Sequence, residues 1–111
     1  MLMEVAGMNK YGLEVSKESF SINLKRNINL VYKLLPMREE GSDWEKPLET
    51  ILEELVGMSR LLVGLQPALF PIICKLEGLF SLTDEEDMAL FRRTIFECLS
   101  LLSKINYDSI K

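Results

Sequence analysis

The clearest pattern in the chain is a run of apolar residues at helical spacing between residues 44 and 63. The apolar side chains recur in steps of four, three, four, three and four residues, which places them on one face of an α-helix. This stripe consists of Trp44, Leu48, Ile51, Leu55, Met58 and Leu62. Glutamates fill other faces, so the pattern predicts an amphipathic helix against which the rest of the chain can pack.

A second stripe precedes it and predicts the first helix. This helix is expected to begin at Ser19 or Ser21 and to end at Leu35, because Pro36 disfavours helical backbone in the residue before it. Leu34 and Tyr32 are apolar residues outside the stripe. The predicted inner stripe is Phe20, Leu24, Ile28, Val31 and Leu35.

Two more helices are predicted in the second half of the chain. The third, from about 68 to 80, is apolar on nearly all sides, which is typical of a central helix or of an interface. The fourth is expected to start at Thr83, because Thr83 and Glu86 match a capping box. It is expected to run to about Ile105. The predicted inner stripe of the fourth helix is Leu90 or Phe91, Ile95, Cys98, Leu102 and Ile105.

The connection between the first two helices also carries signals. Gly41 breaks the helical pattern, and Ser42 or Asp43 can cap the next helix by accepting a backbone hydrogen bond. Pro47 is tolerated in a first turn. Gly57 lies inside the predicted second helix, where glycine costs up to about 1 kcal/mol relative to alanine, so we expect another backbone to approach it closely.

Four helices with short connections predict an all-α fold, a four-helix, mainly antiparallel bundle with a short N-terminal arm. Residues 1–18 are assigned to the arm, because Tyr11, Leu13 and Val15 alternate with other residues as in extended backbone. Residues 19–111 are assigned to the bundle domain. A chain of 111 residues is typical of one domain.

Composition points to association with protein. A hydrophobic fraction of 48% is hard to bury within a small domain, which favours a homo-oligomer or a protein partner. The formal net charge is −4 and the basic residues are scattered, so no direct nucleic-acid binding is expected.

The residue types also limit the chemistry. The chain has no histidine, which removes the side chain best suited to proton transfer near neutral pH and every Ser/His or Cys/His pair. Cys74 and Cys98 lie in apolar helical contexts, which is typical of buried free thiols. We therefore expect no catalytic residues and no cofactor.

Two observations concern location. The N-terminal segment has an early Glu4 and no long apolar region, which predicts no secretory signal and a cytoplasmic protein. Residues 61–82 are strongly apolar over a membrane-spanning length, but prolines and charges interrupt them. The interruptions are Pro67, Pro71, Lys75 and Glu77. We expect no membrane partner and a helical corner buried inside the bundle.

Carboxylates form the sharpest chemical candidate. Glu45, Glu49 and Glu53 share one face of the predicted second helix, and the run 84–87 begins the fourth. Two helices that present carboxylates can hold magnesium, and the arrangement resembles the all-α nucleotide pyrophosphatases. Those enzymes favour E-x-x-E and E-x-x-D pairs, whereas this chain has E-x-x-x-E-E and D-E-E-D, so no catalytic role or metal ligand is carried over. A metal-dependent nucleotide phosphohydrolase is the enzymatic alternative.

Two further groups could contact a protein. The loop from Arg38 to Trp44 places the chain's single tryptophan among charges, as in an interface anchor, although Trp44 also begins the inner stripe of the second helix. Arg92 and Arg93 could bind a phosphate or a carboxylate, or pair across helices with the Glu45–Glu53 face. A small inhibitor or adaptor that uses this loop is a further alternative.

The sequence therefore predicts a non-catalytic protein-binding module, a small helical subunit that self-associates or docks in a larger protein assembly. The predicted partner-binding residues are Arg38, Glu39, Glu40, Trp44, Glu45, Glu49, Glu53, Leu69, Phe70 and Ile73.

Overall fold

The chain forms a bundle of four helices, which confirms the all-α prediction. The computed structural model describes the backbone of residues 5–8 and 14–105, and the side chains of residues 19–105. The helices are α1 (Lys17–Glu39), α2 (Glu45–Leu61), α3 (Gln66–Gly78) and α4 (Met88–Ser103). Single 3₁₀ turns cover Val63–Leu65, Leu79–Ser81 and Glu85–Asp87.

The helices form a ring in chain order. Each helix packs on the next, and α4 closes the ring by packing extensively on α1. The bundle therefore has an α1/α4 face and, on the opposite side, an α2/α3 face. Connections this short make successive helices antiparallel.

The N-terminal segment contains two short strands, β1 (Val5–Met8) and β2 (Glu14–Ser16), paired antiparallel. Residues 1–4 and 9–13, with Tyr11 and Leu13, lie outside the described residues. The division into an arm and a bundle domain stays a prediction.

The end of α1 differs from the predicted end at Leu35. Pro36 lies inside the helix, where it removes one backbone hydrogen bond without ending the helix. The helix ends at Glu39, and Gly41, whose φ is +77°, turns the chain away from the helix. The Gly41 N–H donates to the Arg38 carbonyl at 3.1 Å and the Ser42 N–H donates to the Met37 carbonyl at 2.8 Å, which is the Schellman arrangement that a left-handed glycine permits.

The start and stripe of α2 agree with the sequence pattern. Asp43 Oδ1 accepts hydrogen bonds from the backbone N–H groups of Glu45 at 3.2 Å and Lys46 at 3.3 Å, so Asp43 caps the helix. All six stripe residues are buried. The expectation for Gly57 was wrong, because a Cβ there would meet no heavy atom within 4 Å.

The inner stripe of α1 follows a different line from the predicted one. Phe20, Leu24, Val31 and Leu34 are buried, whereas Ile28 is only half-buried. Leu35, also in the predicted stripe, is half-buried as well. The true stripe passes through Asn27, which is fully buried. A polar residue at a core position broke the apolar pattern and moved the predicted stripe by one residue.

The third helix is less buried than predicted. Its buried side is formed by Leu69, Ile72, Ile73 and Leu76. Phe70 and Cys74 are exposed on the remaining surface, so α3 is not a central helix, and its role in an interface stays a prediction. The segment Val63–Ser81 is long and apolar enough to cross a membrane, and the bundle core accounts for its buried leucines and isoleucines.

The fourth helix begins later than the capping-box pattern suggested. The capping box is formed by Asp84 and Asp87, not by Thr83 and Glu86, and the Asp84 N–H donates to Asp87 Oδ2 at 3.4 Å. The inner stripe of α4 takes Phe91 and not Leu90, which is 48% exposed.

Candidate interaction surfaces

Trp44 belongs to the core and does not form an exposed anchor. It is 9% exposed, and its indole meets the Phe91 ring edge-on, with centroids 5.0 Å apart and planes at 79°. Phe80 stacks nearby at 6.4 Å and 26°. Three aromatic rings in such contact stabilise each other beyond their burial, so Trp44 closes one end of the bundle.

Arg38 covers this aromatic cluster. Its guanidinium carbon lies 4.7 Å from the Phe91 ring centroid, a cation–π distance. Its Nη2 donates to the carbonyls of Leu82 at 2.7 Å and Asp84 at 2.9 Å, and its Nη1 contacts the Met88 sulfur. Arg38 therefore ties the last turn of α1 to the start of α4, and this anchoring explains why α1 continues past Pro36.

These contacts make two residues of the 38–44 loop unavailable for binding a partner. Arg38 and Trp44, the two residues expected to dominate binding there, are engaged inside the chain. Of the two glutamates, Glu40 is exposed and Glu39 pairs with Arg92, with Oε1 and Nη2 3.5 Å apart. The expected partner of Arg92 on the Glu45–Glu53 face was therefore wrong, and the adaptor alternative loses its anchor residues.

The acidic residues of α2 stay on the surface. Glu45, Glu49 and Glu53 are exposed, and among residues 19–105 none of them has an ion-pair partner. Within the described residues no three carboxylate or cysteine side chains lie close enough to hold a metal ion. The carboxylates of α2 and those of residues 84–87 are thus not brought together in the described part of the chain.

The two cysteines differ. Cys98 is buried, and removal of its thiol from water raises its pKa to about 12, so it stays protonated at neutral pH. Cys74 is an exposed free thiol, contrary to the expectation that both are buried.

Next to Cys98 in the chain, Glu97 accepts a hydrogen bond from Lys75 at 3.0 Å, which raises the pKa of the Lys75 ammonium.

An apolar groove of about 300 Å³ opens on the α1/α4 face. We call it the Tyr32–Phe96 groove. These two aromatic side chains are 63% and 53% exposed, while Leu35 and Ile95 contribute apolar lining between them. Pro36 and Glu39 complete its lining. Aromatic side chains exposed beside an apolar groove are typical of protein-binding surfaces.

The groove was not among the predicted features of the chain. Tyr32 was placed outside the inner stripe of α1, and Phe96 is absent from the predicted inner stripe of α4. Their positions off both stripes were the available signal, because large apolar side chains that meet in one exposed patch are typical of interaction surfaces. The expected partner residues Leu69 and Ile73 are instead in the core, at 0% and 7% exposure.

The opposite face carries Phe70 and the acidic residues of α2. Lys75 marks the side of α3 that meets α4, since it bonds to Glu97. Phe70 and Glu77 lie roughly 140–160° around the helix from Lys75, so they lie towards α2. Phe70 is 49% exposed.

The acidic residues of α2 lie on that same face. Glu54 marks the side of α2 that meets α1, because it pairs with Arg26. Glu45, Glu49 and Glu53 lie roughly 100–180° around the helix from Glu54, which places them outward and towards α3. We call the surface formed by Glu45, Glu49, Glu53, Phe70 and Glu77 the acidic face.

A third depression, of about 220 Å³, lies between α1 and α2. Its lining includes Asn27 and Glu54, and one oxygen of each, Oδ1 and Oε2, is buried without a hydrogen-bond partner. The Asn27 Nδ2 donates to the Asn23 carbonyl at 2.9 Å, which fixes the amide orientation. An unsatisfied buried acceptor lowers stability by about 1–3 kcal/mol.

We therefore expect Asn27→Leu to raise the free energy of unfolding by about 1 kcal/mol, because it removes an unsatisfied acceptor from the core. The Asn23 carbonyl keeps its backbone donor in the helix. Urea denaturation followed by circular dichroism measures the change. Asn29→Leu, on the exposed side of the same helix, is the control. A less stable Asn27→Leu variant would show that this oxygen is satisfied by a buried water.

Comparison of the chain with protein-family models, with curated proteins and with solved structures found no match.

Proposed function

We propose that this protein is a non-catalytic protein-binding module, a small helical subunit that self-associates or docks in a larger protein assembly. The observation that supports it is the Tyr32–Phe96 groove, where two aromatic side chains are more than half exposed beside apolar lining. Exposing aromatic rings to water costs hydrophobic free energy that a protein partner would recover. Aromatic side chains that fill a partner's surface often dominate binding energy.

The surroundings of the groove support a folded, rigid binding surface. Its two helices are joined across the groove end by the Glu39–Arg92 ion pair. Beyond it, Arg38 bonds to the segment that leads into α4. Both walls are helical, so binding requires little ordering of backbone, which lowers the entropic cost of association.

The test compares two substitutions of exposed apolar residues. Phe96→Asp places a charge in the groove, whereas Ile22→Asp changes a residue that is similarly exposed, at 59%, on α1 outside the groove. We expect the wild-type protein and Ile22→Asp to occur in an assembly larger than the 12.8 kDa chain, and Phe96→Asp to be a monomer. Light scattering of the purified proteins and native mass measurement of complexes isolated from the source cells report the size.

Circular dichroism checks that both variants keep the helical content of the wild-type protein. The proposal would be wrong if the wild-type chain were a monomer both after purification and in the native isolate. If Phe96→Asp retained the assembly, the chain would still bind protein, and the assignment of the groove as its binding surface would be wrong.

A further inference from the structure

The two exposed faces of the bundle are complementary. The Tyr32–Phe96 groove lies on the α1/α4 face, and the acidic face lies on the opposite side of the ring. We propose that the occupant of the groove is the acidic face of a second copy of this chain, so that copies associate head to tail. This inference rests on the proposed function and specifies its partner.

Charge supports this pairing. Lys25 lies seven residues before Tyr32 and therefore on the same face of α1. Arg93 lies three residues before Phe96 on the exposed surface of α4. Neither side chain has an ion-pair partner in the described part of the chain, whereas Arg92, next to Arg93, is paired with Glu39. The groove thus has two free cations near it.

The acidic face carries charge of the opposite sign. Its four glutamates are exposed and have no ion-pair partner among residues 19–105. Lys46 and Arg60 are exposed on the same side of α2, near its two ends, so they reduce the negative charge of the face without cancelling its four glutamates. Opposite charges on two surfaces steer their encounter and fix the relative orientation of the partners.

The shape and apolar character of the two surfaces also support this pairing. Phe70 projects from the acidic face as a half-exposed aromatic ring, and the groove offers apolar space between two further aromatic side chains. An aromatic ring that enters such a groove loses contact with water and gains edge or offset contacts with the rings there. The proposed contact therefore has an apolar centre and a charged rim, the usual anatomy of a protein interface.

Two different surfaces in one contact make the interface heterologous. A heterologous contact leaves one unused copy of each surface at the ends, so association continues until a ring closes or a filament grows. The assembly should therefore enlarge with concentration rather than stop at a dimer, and it should shrink as salt screens the charges.

The experiment uses two variants of the full chain, each with one damaged surface. The acidic-face variant carries Glu49→Lys and Glu53→Lys, and the groove variant carries Tyr32→Ser and Phe96→Asp. The control carries Glu85→Lys and Glu86→Lys, the same charge change at exposed residues outside both surfaces. A milder acidic-face variant, Glu49→Gln with Glu53→Gln, keeps the side-chain shape in case the lysines disturb folding.

Analytical ultracentrifugation should show a concentration-dependent assembly for the wild-type and control proteins. Each surface variant alone should be a monomer, with self-association weakened about tenfold or more. An equimolar mixture of the acidic-face and groove variants should form a dimer that does not grow, because each variant retains the surface that the other lacks.

Other results would overturn the inference in distinguishable ways. If the groove variant is monomeric but both acidic-face variants associate like the wild-type protein, the groove binds something other than the acidic face, and the proposed function stands. If the mixture stays monomeric, the two surfaces do not meet. If the wild-type chain alone is a monomer, a second copy is not the occupant, and only the native isolate then tests the proposed function.

Discussion

Replacing Phe91 by alanine is expected to lower the free energy of unfolding by about 3–5 kcal/mol, the usual cost of removing a buried aromatic ring. Phe91 is fully buried and touches both the Trp44 ring and the Arg38 guanidinium. The substitution therefore leaves a cavity and removes two ring contacts together. Because a domain of this size is stable by only about 5–15 kcal/mol, the variant should lose a large share of its stability.

Phe96→Ala provides the matched control, since it removes the same side chain from the same helix at a half-exposed position. We expect it to change the free energy of unfolding by less than about 1 kcal/mol. Urea denaturation followed by circular dichroism gives both values. Equal losses for the two variants would mean that the aromatic cluster around Trp44 does not close the bundle.

The second large effect is expected at Leu55. This side chain is fully buried in the middle of the α2 stripe, so Leu55→Ala should lower the free energy of unfolding by about 2–5 kcal/mol, with the exact cost set by how far the cavity collapses. Leu61→Ala changes the same residue type in the last turn of the same helix, where it is 43% exposed.

Thermal and urea unfolding of the Leu55→Ala and Leu61→Ala proteins measure the difference. We expect the Leu61 variant to lose less than about 1 kcal/mol. A loss below about 0.5 kcal/mol at Leu55 would show that the stripe faces water, and the arrangement of the helices would then have to be revised.

The fold could be predicted where apolar periodicity was unbroken. The stripe of α2 is buried at every predicted position, and that of α4 is buried once Phe91 is chosen over Leu90. In α1 the same method failed at Asn27, because a buried amide is indistinguishable in the sequence from an exposed one. Only the packing of α1 against its neighbours decides which of two adjacent stripes turns inward.

Local signals were also overridden by tertiary contacts. Pro36 was expected to end α1, yet the contacts of Arg38 with Phe91 and the Leu82 carbonyl hold the following turn. Those partners are more than forty residues away in the chain, so no local pattern could reveal them. The same contacts removed Arg38 from the set of accessible binding residues.

The candidate surfaces were predicted only in part. Glu45, Glu49, Glu53 and Phe70 are exposed as expected, but the groove depends on the closure of α1 on α4. That pairing joins segments from the two ends of the chain, and residues as far apart as Tyr32 and Phe96 carry no shared sequence signal. Whether any of these residues contacts a partner stays a prediction.

The closure of α1 on α4 has a consequence for folding. The other three helix pairs join neighbours in the chain, whereas this pairing must close a loop that includes both middle helices, which costs the most chain entropy. We expect it to form late, so a nascent or partly folded chain lacks the Tyr32–Phe96 groove. Any partner that selects the groove then binds only the completed fold and stabilises it by mass action.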